Sequence, residues 1–219
     1  MERELVIDAG GRSGQVAGLL AIPQRASHLL VFAHGAGAGM RHAFMDAAAE
    51  ALGAQGIATL RYQFPYMQNA SRRPDPPAVL QATVRAAVRA GAEAAPNLPL
   101  LAGGKSMGGR MTSLAAASEP LEGVRGLVFF GFPLHPAGSP AIQRGAHLAQ
   151  VTVPMLFLQG TRDKLAELDL LRPLLAPIPG ATLKILEGAD HSFHLLKSAG
   201  RSDADVLSEM ARTVASWAS

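Results

Sequence analysis

The stretch LAGGKSMGG, residues 101–109, decides how this chain is read. Gly104-Lys105-Ser106 is the tail of a phosphate-cradling loop. Gly104-Lys105-Ser106-Met107-Gly108 is also G-x-S-x-G, the turn that presents a nucleophilic serine. The phosphate loop requires G-x-x-x-x-G-K-[ST], and its first glycine position falls on Pro99. Residues 99–102 read PLLA, an apolar strand, and amides committed to a sheet ladder cannot wrap a phosphate. The serine turn fits instead. In it the residues two before and two after the serine come close together, so both must be small. Here they are Gly104 and Gly108, with Gly103 and Gly109 adding clearance. An apolar strand enters the turn and an Ala-rich helix, roughly 107–118, leaves it.

Outward from this turn, apolar runs alternate with helical patterns. ELVID (4–8) and QVAGLLAIP (15–23) flank AGGRSG and read as an antiparallel hairpin. HLLVFAHG (28–35) is near-continuously apolar and ends in glycine, as a buried parallel strand does. A helix is expected from about Phe44 to Gln55, a strand at 57–62, and a helix in PDPPAVLQATVRAAVRAGAEA with Leu80, Val84, Ala87 and Val88 on one face. GLVFFGF (126–132), PMLFLQG (154–160) and TLKILEG (182–188) read as further strands. A helix carries Leu165, Leu168, Leu171 and Leu174/Leu175. The last helix opens at Ser202-x-x-Asp205 with Leu207, Met210, Val214 and Trp217 on its buried stripe. PYMQNASRRPDPP (65–77) is the most loop-like stretch. The sum is a leading antiparallel hairpin followed by β-α units: a mostly parallel, twisted α/β sheet of about seven or eight strands with helices on both faces. No repeat or linker divides it, so residues 1–219 read as one domain.

A serine hydroxyl needs a base, and the base an orienting carboxylate. In this architecture their chain order is Ser, then Asp or Glu, then His. Asp163 lies in LFLQGTRDK, just past one strand, and His191 in LEGADHSFH, just past the next. Parallel strands deliver these loops to one sheet edge. His194, three residues on, competes with His191. Asp169 falls in the leucine-patterned helix and reads as solvated, and Asp190 as a loop cap. An oxyanion hole needs two amides. One is that of Met107, after the serine; the other comes from HGAGAG (34–39), where Ala36 is the natural donor and Gly37 the second. His34 reads as a hydrogen-bonding support of that loop, or as a substrate contact. His42 and His135 are candidates for the mouth of the site. Lys105 either holds its charge in solvent or, with Arg41, Arg61 or Arg72-Arg73, favours an anionic substrate.

With these motifs in place, the chain resembles the α/β-hydrolase superfamily across nearly its whole length, from HGAGAG through GKSMGG and GTRD to GADHSF. HGAGAGMRHAFM, RYQFPYM and GFPLHP are similar to the small lidless branch, which includes dienelactone-hydrolase-like proteins and relatives of testis-expressed protein thirty and NSL-complex subunit three. The resemblance implies an α/β-hydrolase fold without a large cap. It also implies a Ser106-Asp163-His191 triad with no metal or cofactor. Dienelactone hydrolases proper use a cysteine nucleophile, and this chain has none, so their substrate does not transfer. The expected activity is cleavage of an ester, thioester or related acyl bond of a small-molecule substrate. Some domains of this fold serve instead as interaction modules, and a degenerate triad would be the sign of one.

Composition narrows the alternatives. Charged residues make up 17%, apolar residues 48%, and the net charge is +3. The basic residues are scattered, with Arg72-Arg73 the only adjacent pair, so no nucleic-acid patch is expected. Absent cysteine excludes disulfides and thiolate metal sites. Apolar runs of about ten residues are too short to span a bilayer, and MERELVIDAGG lacks a signal-peptide core. No membrane association and a cytoplasmic location are therefore expected. HGAGAG followed by a strand ending at Arg61 suggests a dinucleotide site, but its spacing is G-x-G-x-G rather than G-x-G-x-x-G. Residues 133–153 are too few for a large cap, so an open site is expected. No protein partner can be read from the sequence.

Overall fold

Strand residues in this chain are apolar on both sides, and the structure explains why. The structure is a computed structural model describing residues 2–219, Arg12 by its backbone alone. In chain order the elements are β1 (Glu2–Asp8), β2 (Gln15–Ala21), β3 (His28–Ala33), α1 (Ala43–Ala54), β4 (Ile57–Tyr62), α2 (Pro65–Gln68), α3 (Pro77–Ala94), β5 (Leu100–Lys105), α4 (Met107–Ser118), β6 (Val124–Phe130), β7 (Met155–Gly160), α5 (Leu168–Leu175), β8 (Ala181–Leu186) and α6 (Asp203–Ala218). One eight-stranded sheet runs β1-β2-β4-β3-β5-β6-β7-β8. The β1–β2 hairpin is antiparallel, and β2 also pairs antiparallel with β4. From β4 to β8 all pairings are parallel.

Successive side chains on a strand point to opposite faces, and here both faces are covered. Leu29, Val31 and Ala33 of β3 and Met155 and Phe157 of β7 join Leu80, Val84 and Val88 of α3, Met111 of α4 and Leu171 of α5. Leu30 and Phe32, with Leu156 and Leu158, point the other way and meet Met45 and Leu52 of α1 and Val206, Met210 and Val214 of α6. Each fully buried Leu or Phe contributes about 1.5–3 kcal/mol.

Most expected elements lie within two residues of their places. The leucine-patterned helix starts at Leu168, leaving Leu165 in the preceding loop. The stretch 65–77 is not loop throughout: Pro65 opens the single turn of α2, and Tyr66 is buried. The stretch 133–153 includes a 3-10 helix, Gln143–Gln150, and no cap. On α6 Met210 and Val214 are buried as expected, joined by Val206 and Ala211, while Leu207 is only partly buried. Trp217 is only partly buried. It packs against Gly126 of β6, where any Cβ would fall 2.5 Å from the indole. The capping box at Ser202 and Asp205 is formed, Asp205 N donating to Ser202 Oγ at 3.2 Å. No helix among the described residues is long and apolar enough to cross a membrane.

Parallel strands place their following loops along one edge. The loops after β3, β5, β7 and β8 carry residues 34–39, Ser106, Asp163 and His191 respectively.

Candidate active site

Ser106 joins β5 directly to α4 with φ 51° and ψ −117°. A non-glycine residue at positive φ is strained, and the surrounding backbone holds it there. Ser106 N donates to Phe130 O at 3.1 Å, and Ser106 O accepts from Arg110 N at 3.1 Å. The flanking glycines have no room for side chains. A Cβ on Gly104 would stand 2.6 Å from Ala33 O and 2.8 Å from the Gly108 carbonyl carbon; one on Gly108 would stand 2.5 Å from His34 O. The turn is thus packed against the end of β3.

His191 Nε2 lies 2.8 Å from Ser106 Oγ, and His191 Nδ1 lies 2.7 Å from Asp163 Oδ2. With Nδ1–H donating to the carboxylate, Nε2 is left as acceptor for the serine hydroxyl. The Asp163 side chain is fully buried, while that of His191 is 24% exposed. Asp163 accepts two further hydrogen bonds, from Leu165 N to Oδ1 at 2.8 Å and from Gln159 Nε2 to Oδ2 at 2.6 Å. Gln159 in turn accepts from Phe132 N at 3.0 Å. Sequence reasoning missed Gln159; the available signal was one polar residue inside the apolar strand PMLFLQG.

A cleft of about 410 Å³ opens above Ser106, walled by Gly35, Ala36, Gly37, Phe44, Met45, Lys105, Leu165 and His191. Neither Ala36 N–H nor Met107 N–H has an acceptor among the described residues. His42 lines the cleft, with Nδ1 capping α1 by accepting from Phe44 N at 3.2 Å.

Other candidates are placed elsewhere. His34 is fully buried rather than on the wall. Its Nδ1–H donates to Gly35 O at 2.8 Å and its Nε2 accepts from Phe64 N at 3.1 Å, so both ring nitrogens are engaged in holding the loop. Burial lowers its pKa to about 4. Arg41 pairs with Glu4 and lines a separate hollow with Glu2, Asp46 and Arg61. Arg61 is buried and paired with Glu2 and Asp46. These opposite charges take Arg41 and Arg61 away from the cleft, and Arg72 and Arg73 are exposed on the α2–α3 loop. His135 is buried against Glu167, not at the mouth. His194 pairs with Asp203 at 2.7 Å on the surface. Asp190 caps its own loop, accepting from Ser192 N and His194 N, and Asp169 is exposed in the first turn of α5. Lys105 is half-buried in the cleft wall, and its ammonium donates to His191 O. A second serine–histidine contact, Ser113 Oγ to His147 Nε2 at 2.7 Å, ties α4 to the 3-10 helix. Ser113 is buried, and no carboxylate joins that pair among the described hydrogen bonds.

Sheet order, serine turn and loop placement define an α/β hydrolase. Residues 26–219 match the family model described as "Alpha/beta hydrolase domain", and the chain belongs to that family. A Mycobacterium tuberculosis protein named "Putative phosphoribosyl transferase" is 30% identical over 208 residues, 92% of this chain and 43% of that protein. The chain therefore spans about two fifths of the length of the curated relatives it matches. Among solved structures it is similar to a dienelactone hydrolase from Anabaena variabilis, with TM-score 0.77, 23% identity, and coverage of 99% of this chain and 96% of that one. A serine hydrolase homologue from Coxiella burnetii gives TM-score 0.77 at 19% identity, covering 97% of each chain. A Xanthomonas campestris serine hydrolase without lid gives TM-score 0.75 at 22% identity, covering 99% and 94%. Identities this low bear on the fold, which is the lidless α/β-hydrolase architecture that the sequence resemblance implied.

Proposed function

We propose that this protein is a serine hydrolase that cleaves an ester, thioester or related acyl bond. The observation carrying this is the unbroken line Ser106–His191–Asp163 at a strained turn, with contacts of 2.8 and 2.7 Å. Ser106 Oγ attacks the substrate carbonyl carbon as His191 Nε2 takes its proton. The carbonyl oxygen becomes an oxyanion, received by the amides of Met107 and Ala36, each worth roughly a hundred- to a thousand-fold in turnover. His191 passes the proton to the leaving group, the carbon–heteroatom bond breaks, and an acyl-Ser106 remains. Water, deprotonated by His191, releases the acid. Asp163 keeps the imidazole in the required tautomer and stabilises its cation. Phe44, Met45 and Leu165 give the cleft an apolar side, which suits a small acyl group.

An interaction module has no need of a complete relay, and the intact one supports catalysis. The transferase name belongs to a mycobacterial protein of which this chain covers 43%, and it is not carried over to these residues. The test is a series of p-nitrophenyl esters of increasing chain length. Hydrolysis that Ser106→Ala reduces to background supports the proposal; equal rates in the two proteins reject it.

A further inference from the structure

Lys105 sits inside the nucleophile turn, yet the chemistry above assigns it nothing. Its ammonium donates to the backbone carbonyl of His191, 86 residues away in the chain. The Phe193 ring centroid lies 4.9 Å from its Nζ and that of Phe44 5.6 Å. The two rings stack on each other at 5.7 Å, so a cation meets two aromatic groups and one carbonyl. Two backbone features accommodate this arrangement. Gly131, just past β6, has φ +69°, and a Cβ there would stand 3.1 Å from Nζ and 3.5 Å from the His191 ring. Phe193 is one of three non-glycine residues at positive φ among those described, and its strained backbone carries the ring that meets Lys105.

Placing an ammonium here works against folding. Burial lowers the Lys105 pKa to about 8, although the carboxylates of Asp163 and Asp190 oppose the shift. His191 and, across the cleft, His42 are the other titratable groups near it. A methionine would fill the same volume without desolvating a charge, so the lysine is better explained by what it holds than by what it stabilises.

We propose that Lys105 is a positioning residue: its ammonium clamps the His191 carbonyl and thereby keeps the imidazole in line between Asp163 and Ser106. This rests on the reading of those three residues as the catalytic groups. The clamp connects the serine's own turn to the base's loop, so the two ends of the Ser106–His191 hydrogen bond are fixed to each other and not only to the sheet. A base displaced by about 1 Å costs roughly a hundred-fold in rate.

The test uses the full chain with Lys105→Met and Lys105→Cys. The protein has no cysteine, so bromoethylamine treatment of Lys105→Cys rebuilds an ammonium of lysine-like reach at that site alone. For Lys105→Met, kcat on a p-nitrophenyl ester should fall about a hundred-fold with KM within about twofold. Amide exchange of residues 189–194 should quicken, and Tm at pH 7 should not fall below that of the wild type. Aminoethylation of Lys105→Cys should restore kcat and slow exchange in that loop. Unchanged exchange at 189–194 overturns the clamp, and so, where the wild type hydrolyses the ester, does unchanged kcat in Lys105→Met or an aminoethylated protein no faster than its untreated parent. The exchange measurement does not depend on turnover. Wild type that hydrolyses no ester, while Lys105→Met loosens 189–194 and aminoethylation tightens it, would reject the hydrolase reading and leave the clamp standing.

Discussion

Gln159 and His191 share one oxygen of Asp163: Gln159 Nε2 reaches Oδ2 at 2.6 Å and His191 Nδ1 reaches the same atom at 2.7 Å. The amide and the imidazole thus both hold the carboxylate by that one atom. Hydrogen bonds to charged groups are worth about 1.5–3 kcal/mol, so Gln159→Met should lower kcat roughly ten- to a hundred-fold. It also leaves Phe132 N without its partner, so urea unfolding should show a loss of about 1–2 kcal/mol. Steady-state kinetics with kcat unchanged would remove Gln159 from the account.

Asp163→Asn keeps the shape of the site but lets an amide N–H face His191 Nδ1. The imidazole then turns to the tautomer that cannot accept the serine proton. A fall in kcat on the order of ten-thousand-fold is expected, with the fold intact by circular dichroism. A loss of less than about tenfold would mean that Asp163 does not orient the base.

The nucleophile turn predicts an opposition between stability and activity. Ser106 pays for its position with φ 51°, and glycine accepts that conformation without strain. Ser106→Gly should therefore be about 1 kcal/mol more stable than Ser106→Ala in urea unfolding, with both inactive. At Gly108 the sign reverses. Gly108→Ala drives a methyl to 2.5 Å from His34 O, and a loss of about 3 kcal/mol is expected. A stable, active Gly108→Ala would show that the turn is looser than described.

His34 gives a pH dependence of definite sign. Its folded-state pKa is lowered from 6.5 to about 4 by burial. Between those values the unfolded chain binds the proton and the folded chain does not, so stability falls as pH drops from about 6.5 to about 4 and levels off below. The contribution is at most about 3 kcal/mol. Imidazole ¹⁵N resonances should show His34 neutral, with Nδ1 protonated, at pH 5. Titration near 6.5 would contradict its buried hydrogen bonds to Gly35 and Phe64.

What the sequence made legible was local. Four glycines around Ser106, an apolar strand before it and an Ala-rich helix after it are all nearest-neighbour information, and strand order then carries Asp163 and His191 to the same edge. What stayed hidden depended on contacts distant in the chain. Lys105 reads as a surface charge until His191 O is seen above it. Arg41 and Arg61 read as possible anion contacts until Glu4, Glu2 and Asp46 are found beside them. On α6 the pattern placed Met210 and Val214 correctly but chose Leu207 over its neighbour Val206, both apolar, and only the packing shows which of the two is fully buried. Gln159 lies on a strand whose other residues are apolar, and no spacing rule marks a residue that acts through its neighbour's carboxylate.

The central claim is that Ser106 is the nucleophile, and a fluorophosphonate probe tests it most directly. Intact-mass and peptide mass spectrometry should find one adduct on wild type, located on the peptide that contains Ser106, and none on Ser106→Ala. Wild type that takes no label, or Ser106→Ala labelled to the same extent, would contradict it.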